Sequence, residues 1–165
     1  MKNTGTLKVV AQGDREVLMT RVFDAPRQLV FDALTKPELL KRWFGPHGWT
    51  LVECDIDLRV GGAWRFLSHG PDGRVMGMHG VYREIAPPGK LQYTESFDEF
   101  ASAGAALVTA TLDEREGKTI LTTLVLSPSR EVRDGVLRSG MEHGAAETYD
   151  RLAELLPSLA ATQRA

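Results

Sequence analysis

Cysteine is nearly absent. The 165 residues contain one, Cys54, so no internal disulfide can form, and a reducing, cytoplasmic setting is the expectation. Charge of one sign is absent too: 20 basic and 22 acidic side chains are interspersed and leave a net charge of −2. That balance excludes the basic stripe of a nucleic-acid binder and the polybasic cluster of an electrostatic membrane anchor. Nowhere do about 18 apolar residues run together, so no membrane insertion is expected. Residues 1–8 lack the apolar segment of a secretory leader. The four histidines, His47, His69, His79 and His143, show no metal-ligand spacing. His143 and Glu147 stand one helical turn apart but have no third ligand, so they read as surface residues. No metal and no cofactor is expected. Gly-x-Ser-x-Gly is missing, and neither Gly61-Gly62 nor Gly70 with Gly73 leads from a strand into a helix as phosphate loops do.

What is present fits one domain. An apolar fraction of 42% and a chain of this length support a full core without staples. Residues 1–14 are polar and read as a flexible lead, residues 15–157 as the domain, and residues 158–165 as a tail. Arg15 to Phe23 suits a strand. Asp24 and Pro26 form a helix-start signal, with Leu29, Val30, Phe31, Ala33 and Leu34 following at helical spacing. Thr35 and Pro37 repeat the signal for a second short helix ending at Gly45-Pro46. Six strands follow: 51–58, 63–68, 75–85, 90–97, 106–114 and 118–126, separated by Gly70-Pro71-Asp72-Gly73, Pro87-Pro88-Gly89 and Glu116-Gly117 turns. From Glu131 to Leu155, Val132, Val136, Leu137, Met141, Ala145, Tyr149 and Leu152 recur every three or four residues. This predicts one long helix closed by Pro157. The fold class is therefore α+β: a seven-stranded antiparallel sheet, two short helices, and a long C-terminal helix covering one face.

Tight turns set register, and register decides which side chains share a face. With Pro87 and Pro88 as the central turn residues, Tyr82 lies opposite Tyr93, Gly80 opposite Glu95, and Met78 opposite Phe97. One face then gathers Met76, Met78, Tyr82, Tyr93 and Phe97, with Glu95 among them. The turn at Glu116-Gly117 sets Val108, Ala110 and Leu112 beside Val125, Thr123 and Leu121. Trp64 falls opposite His79 or Gly80. Small residues on the covering helix, Gly140 and Gly144 around Met141, leave space beneath it. Methionine and aromatic side chains adapt readily to apolar guests, so this face is a candidate cavity. Cys54 alternates with Val52 and Ile56 and reads as a buried apolar residue. Glu53, Asp55 and Asp57 read as the solvated face of the same strand.

The segments Arg21-Val22-Phe23-Asp24-Ala25-Pro26 and Pro37-Glu38-Leu39-Leu40-Lys41-Arg42-Trp43-Phe44-Gly45-Pro46 resemble the start of bacterial proteins similar to the activator of heat shock protein 90 ATPase. Asp57-Leu58-Arg59-Val60-Gly61-Gly62, Gly80-Val81-Tyr82-Arg83-Glu84-Ile85 and Gly140-Met141-Glu142-His143-Gly144 extend the resemblance, as does 150–156. Together they span about residues 15 to 156, and their order is specific. The resemblance implies the helix-grip fold of the START-like (SRPBCC) superfamily, whose members hold hydrophobic molecules in a deep cavity. Two positions depart from it. Ala145 stands where many relatives carry tryptophan, and Trp43-Phe44 where they often carry a tryptophan pair.

Three functions follow as expectations. The first is non-catalytic binding of a small hydrophobic or amphipathic molecule, by a monomer or homodimer. Its cavity would be lined by Trp43, Phe44, Trp49, Trp64, Phe66, Met76, Met78, Tyr82, Tyr93, Glu95, Phe97, Gly140, Met141 and Ala145, with an entrance near the 43–49 loop. The second is a protein-interaction module, including a chaperone cofactor. The third is a cyclase- or hydrolase-like enzyme in which a desolvated Glu95 transfers a proton with His79 and Tyr82 as helpers. Against these stands a plain ion pair of Glu95 with Arg21 or Arg65.

Overall fold

A computed structural model describes residues 7–164. The elements run β1 Lys8–Gln12, β2 Glu16–Phe23, α1 Arg27–Thr35, α2 Pro37–Trp43, β3 Thr50–Ile56, β4 Ala63–His69, β5 Val75–Ala86, β6 Lys90–Phe97, β7 Ala106–Arg115, β8 Lys118–Leu126, α3 Arg130–Arg138 and α4 Met141–Arg164. The strands form one antiparallel sheet in the order β1-β2-β8-β7-β6-β5-β4-β3. Sequential hairpins build β3 to β8, and β2 closes onto β8, as its separation from the others by two helices requires. The helices collect on one face: α1 touches β7 and β8, α2 touches β3, and α4 packs against α1 and α2. This is the helix-grip arrangement.

Four details depart from the sequence expectations. The sheet has eight strands because Lys8–Gln12 pairs with β2 through the turn Gly13-Asp14-Arg15. Its side chains are mostly exposed, so no apolar alternation marked it. The rest of the expected flexible lead, residues 1–6, lies outside the described residues. Asp24 does not cap α1. The N-cap is Pro26, and the Arg27 N–H is received instead by Glu114 of β7 at 2.8 Å. The C-terminal helix is two helices, since Gly140 adopts a left-handed φ of 83° that ends α3 and starts α4. Finally, Pro157 does not close α4, which continues to Arg164. Leu159 and Ala160 carry its apolar stripe one turn further onto the core, and that burial outweighs the loss of one N–H donor.

The core is densest where α1, α2 and the second half of α4 meet β2, β7 and β8. Phe23, Val30, Leu112, Leu121, Leu152 and Leu156 are all buried there. No helix is long and apolar enough to cross a membrane among the described residues.

Candidate functional site

Period-two alternation decides what faces the helices. On β6, Leu91, Tyr93, Glu95 and Phe97 share the inner face, and Tyr93 pairs with Tyr82 while Phe97 pairs with Met78. Gly80 lies midway between these pairs, across from Glu95. On the other side Glu95 pairs with Ala106 of β7. The one carboxylate of this face thus sits between two of its smallest residues. The β7–β8 register is also as expected, with Val108, Ala110 and Leu112 against Val125, Thr123 and Leu121. Trp64 pairs with Gly80, and the absence of a side chain there is required: a Cβ would lie 1.8 Å from the Thr94 carbonyl oxygen and 2.6 Å from the indole nitrogen. Through that gap Trp64 Nε1 donates to the Thr94 carbonyl at 3.1 Å, and the Val81 N–H donates to Thr94 Oγ1 at 3.0 Å. Side chains replace the backbone ladder beside Glu95.

The expected register rests on a different turn from the one assumed. Ala86 pairs with Lys90, so the loop holds three residues, Pro87, Pro88 and Gly89, and a bulge at Arg83 restores the pairing beyond it.

Tyr93, Glu95 and Tyr149 lie deep enough in the protein for burial to be the main influence on their ionisation. Yet each keeps surface that a water molecule can touch. Tyr93 and Glu95 of β6 and Tyr149 of α4 are thus incompletely covered, and the space between β6 and the first half of α4 is the candidate cavity. Burial alone pushes the Glu95 carboxyl up from 4.5 to about 7. No hydrogen bond or ion pair engages it among the described residues, and the two expected cations are taken elsewhere. Arg21 donates to Asp150 of α4 at 3.1 Å, both fully buried, and Arg65 grips Asp98 at 2.6 Å on the outer surface. Burial, reinforced by the Glu95 charge, also holds the Tyr93 phenol well above 10 and raises that of Tyr149, beside which lies Thr123. Burial raises the Tyr82 phenol as well. The hollow therefore contains one group that changes charge near neutrality and several neutral phenols.

The expected lining residues divide. Phe44, Phe66, Trp64, Tyr93 and Tyr82 form a continuous run of edge-to-face rings with centroids 4.9–6.2 Å apart. Met76, Met78 and Phe97 continue the same face. Ala145 lies one turn before Tyr149 on α4, and Met141 one turn before Ala145, both half-buried. Trp43 adjoins this run but is a buried strut between α1 and α2, donating to the Ala33 carbonyl at 3.0 Å. Trp49 lies outside the face, against Gly70 of the β4–β5 hairpin and beneath the Arg74 guanidinium. Gly140 is exposed at the helix break and lines nothing. His79 points outward, with Nδ1 2.7 Å from Asp98, and cannot help Glu95. The 44–49 loop is tied to α4 rather than free: Arg151 Nη1 donates to the carbonyls of Phe44, Gly45 and Trp49 at 2.8–3.5 Å, and Glu147 receives the His47 N–H. Sequence reasoning missed Tyr149 and Thr123 as part of the site, although both stood at inward-facing positions of their elements.

Two surface clefts lie elsewhere. One, of about 490 Å³, is lined by Arg42, His47, Arg151 and Glu154. The other, of about 440 Å³, lies behind β6 against Arg83, Gln92 and Thr94. Both are open to solvent, and neither is lined by Glu95. Burial pushes the Cys54 thiol up to about 11, so it stays protonated. No cluster of three or more His, Cys, Asp or Glu side chains is placed to hold a metal among the described residues.

This architecture recurs in solved structures. A protein from Rhodobacter sphaeroides is 32% identical, with a TM-score of 0.87 over 93% of this chain and 99% of its own. One from Nitrosomonas europaea is 26% identical, with a TM-score of 0.81 over 92% and 99%. CalU16 from Micromonospora echinospora, 21% identical with a TM-score of 0.62 over 94% and 87%, shares the fold. No curated protein matches the sequence. A family model described as activator of Hsp90 ATPase homolog 1-like protein matches residues 24–157, and the chain belongs to that family.

Proposed function

We propose that this protein holds a small amphipathic molecule in the hollow between β6 and the first half of α4, without transforming it. One observation carries the reading: a largely buried carboxyl among aromatic rings, with no ion-pair or hydrogen-bond partner among the described residues. Such a group costs stability, because burial disfavours its charged form and no partner repays the loss. A guest that meets it gives the cost a use. Apolar area removed from water drives binding, at about 25 cal/mol per Å² before ordering costs. The helper expected for a proton-transfer role, His79, points away from Glu95, which favours binding over turnover. The lone, inert thiol of Cys54 suits a reducing, cytoplasmic setting.

Native mass spectrometry of the purified protein tests this, followed by denaturing release and identification of any guest. A retained small molecule, displaced in Ala145→Trp, is the expected outcome. A protein that arrives empty and binds no apolar probe of any size would end the proposal.

A further inference from the structure

We infer that the hollow selects guests bearing a protonated amine, with Glu95 as the residue that receives it. The inference rests on reading the hollow as a ligand site and names the head group that site prefers.

The local charge balance carries it. When ionised, Glu95 is an acceptor with no donor. The groups facing it from each neighbouring element are the phenols of Tyr93 on its own strand, Tyr82 on β5 and Tyr149 on α4. The inner positions of β7, Ala106 and Val108, and of β8, Thr123 and Val125, bring no charge. Beyond Tyr149, Arg21 of β2 is matched by Asp150 of α4, so that pair adds no net charge. The Nε and Nη2 of Arg21 are sealed from water and have no hydrogen-bond partner among the described residues. The Glu95 charge raises both the Tyr93 and Tyr149 phenols, so both sense it without neutralising it. Above neutrality the site is therefore negative, with no counter-cation among the described residues.

Shape agrees. Ala106 flanks the carboxylate on the β7 side without bulk, and on the β5 side the Trp64 indole crosses Gly80. Trp64, Tyr82 and Tyr93 contribute a cluster of rings, whose faces attract a cation. An ammonium gains a charge-assisted bond to Glu95, a hydroxyl a weaker one, and a carboxylate is repelled. A bound ammonium favours ionised Glu95. Binding below neutrality therefore expels the Glu95 proton while the amine keeps its own.

The test compares three probes with one body and different heads: 4-phenylbutylamine, 4-phenylbutanol and 4-phenylbutyrate. Titration calorimetry reads each against wild type and Glu95→Gln, at pH 8.5 and pH 5.5. At pH 8.5 wild type should favour the amine over the alcohol by about tenfold, the scale of one charge-assisted bond. The preference should shrink to about twofold at pH 5.5, and in Glu95→Gln at either pH, once Glu95 is neutral. Near pH 6.5 amine binding should release protons, seen as a dependence of the heat on buffer ionisation. The wild-type pH series stands alone should the variant misfold. Alcohol or butyrate binding as tightly as the amine at pH 8.5 overturns the inference and leaves the ligand site standing. An amine preference retained in Glu95→Gln overturns the assignment to Glu95. If no probe binds wild type, the site and its selectivity fall together.

Discussion

Leu152, Leu155, Leu156 and Leu159 on the second half of α4 are closed off from solvent, whereas every residue from Met141 to Tyr149 on the first half is at least partly open. One helix thus meets one sheet in two ways. Its leucine half packs against the region of Phe23, Leu112 and Leu121, where close packing leaves no room for a guest. On its other half Tyr149 lies near Tyr93 and Glu95, and the small Ala145 stands one turn before it, half-buried. The Arg21–Asp150 pair lies at the boundary, between Tyr149 and Leu152. Stability is concentrated on one side of that boundary and recognition on the other, so substitutions on the two sides should fail differently.

The largest effect is expected at the boundary. Asp150→Ala leaves the Arg21 guanidinium buried and unmatched, and should cost about 4 kcal/mol in urea denaturation. A loss under 1 kcal/mol would show that the pair does not tie α4 to the sheet. Next, Leu152→Ala in the packed half should cost about 3 kcal/mol, transfer and cavity terms together.

Glu95→Gln in the open half should have the opposite sign. The folded carboxyl titrates near 7 and the unfolded one near 4.5. Between those values the folded state binds the extra proton, so wild-type stability falls as pH rises through that window. Full linkage is trimmed by the water that reaches the group. Glu95→Gln should therefore match wild type at pH 4.5 and exceed it by roughly 2 kcal/mol at pH 8.5. Parallel stability–pH curves for the two proteins would contradict the desolvated carboxyl. The smallest stability effect belongs to Ala145→Trp, below about 1 kcal/mol because the new ring enters open space. The same substitution should abolish binding of the phenylbutyl probes. A destabilisation as large as that of Leu152→Ala would mean the two halves are equally filled.

Much of the inner face was legible in the sequence because alternation and turn chemistry determine it. Tyr82 and Tyr93, and Met78 and Phe97, pair as counting from a two-residue turn puts them, but only because the three-residue loop and the bulge at Arg83 offset one another. What the sequence hid depends on distant partners. Nothing local distinguishes Arg21, which binds Asp150, from Arg65, which binds Asp98, so the isolation of Glu95 appears only when both are placed. Trp49 and Gly140 looked like lining because aromatic and small residues suit a cavity. A loop conformation put the first on a hairpin, and a left-handed φ made the second a helix break. Strand β1 escaped notice because edge strands with mostly exposed side chains lack an apolar rhythm. The extension of α4 past Pro157 shows tertiary packing overriding a strong local stop signal.

The bulge at Arg83 has a consequence for how the β5–β6 hairpin tolerates changes in length. Arg83 is exposed and lies between the Tyr82–Tyr93 and Glu84–Gln92 pairs with no residue of β6 opposite it. Deleting it would join Tyr82 to Glu84 with the flanking pairs intact, so Ile85 and Tyr82 would still point inward together. Inserting a residue between Met78 and Tyr82 would instead turn one of them outward. The hairpin carries its spare residue on the solvent side, where length can vary without rotating the ring of Tyr82 away from Tyr93.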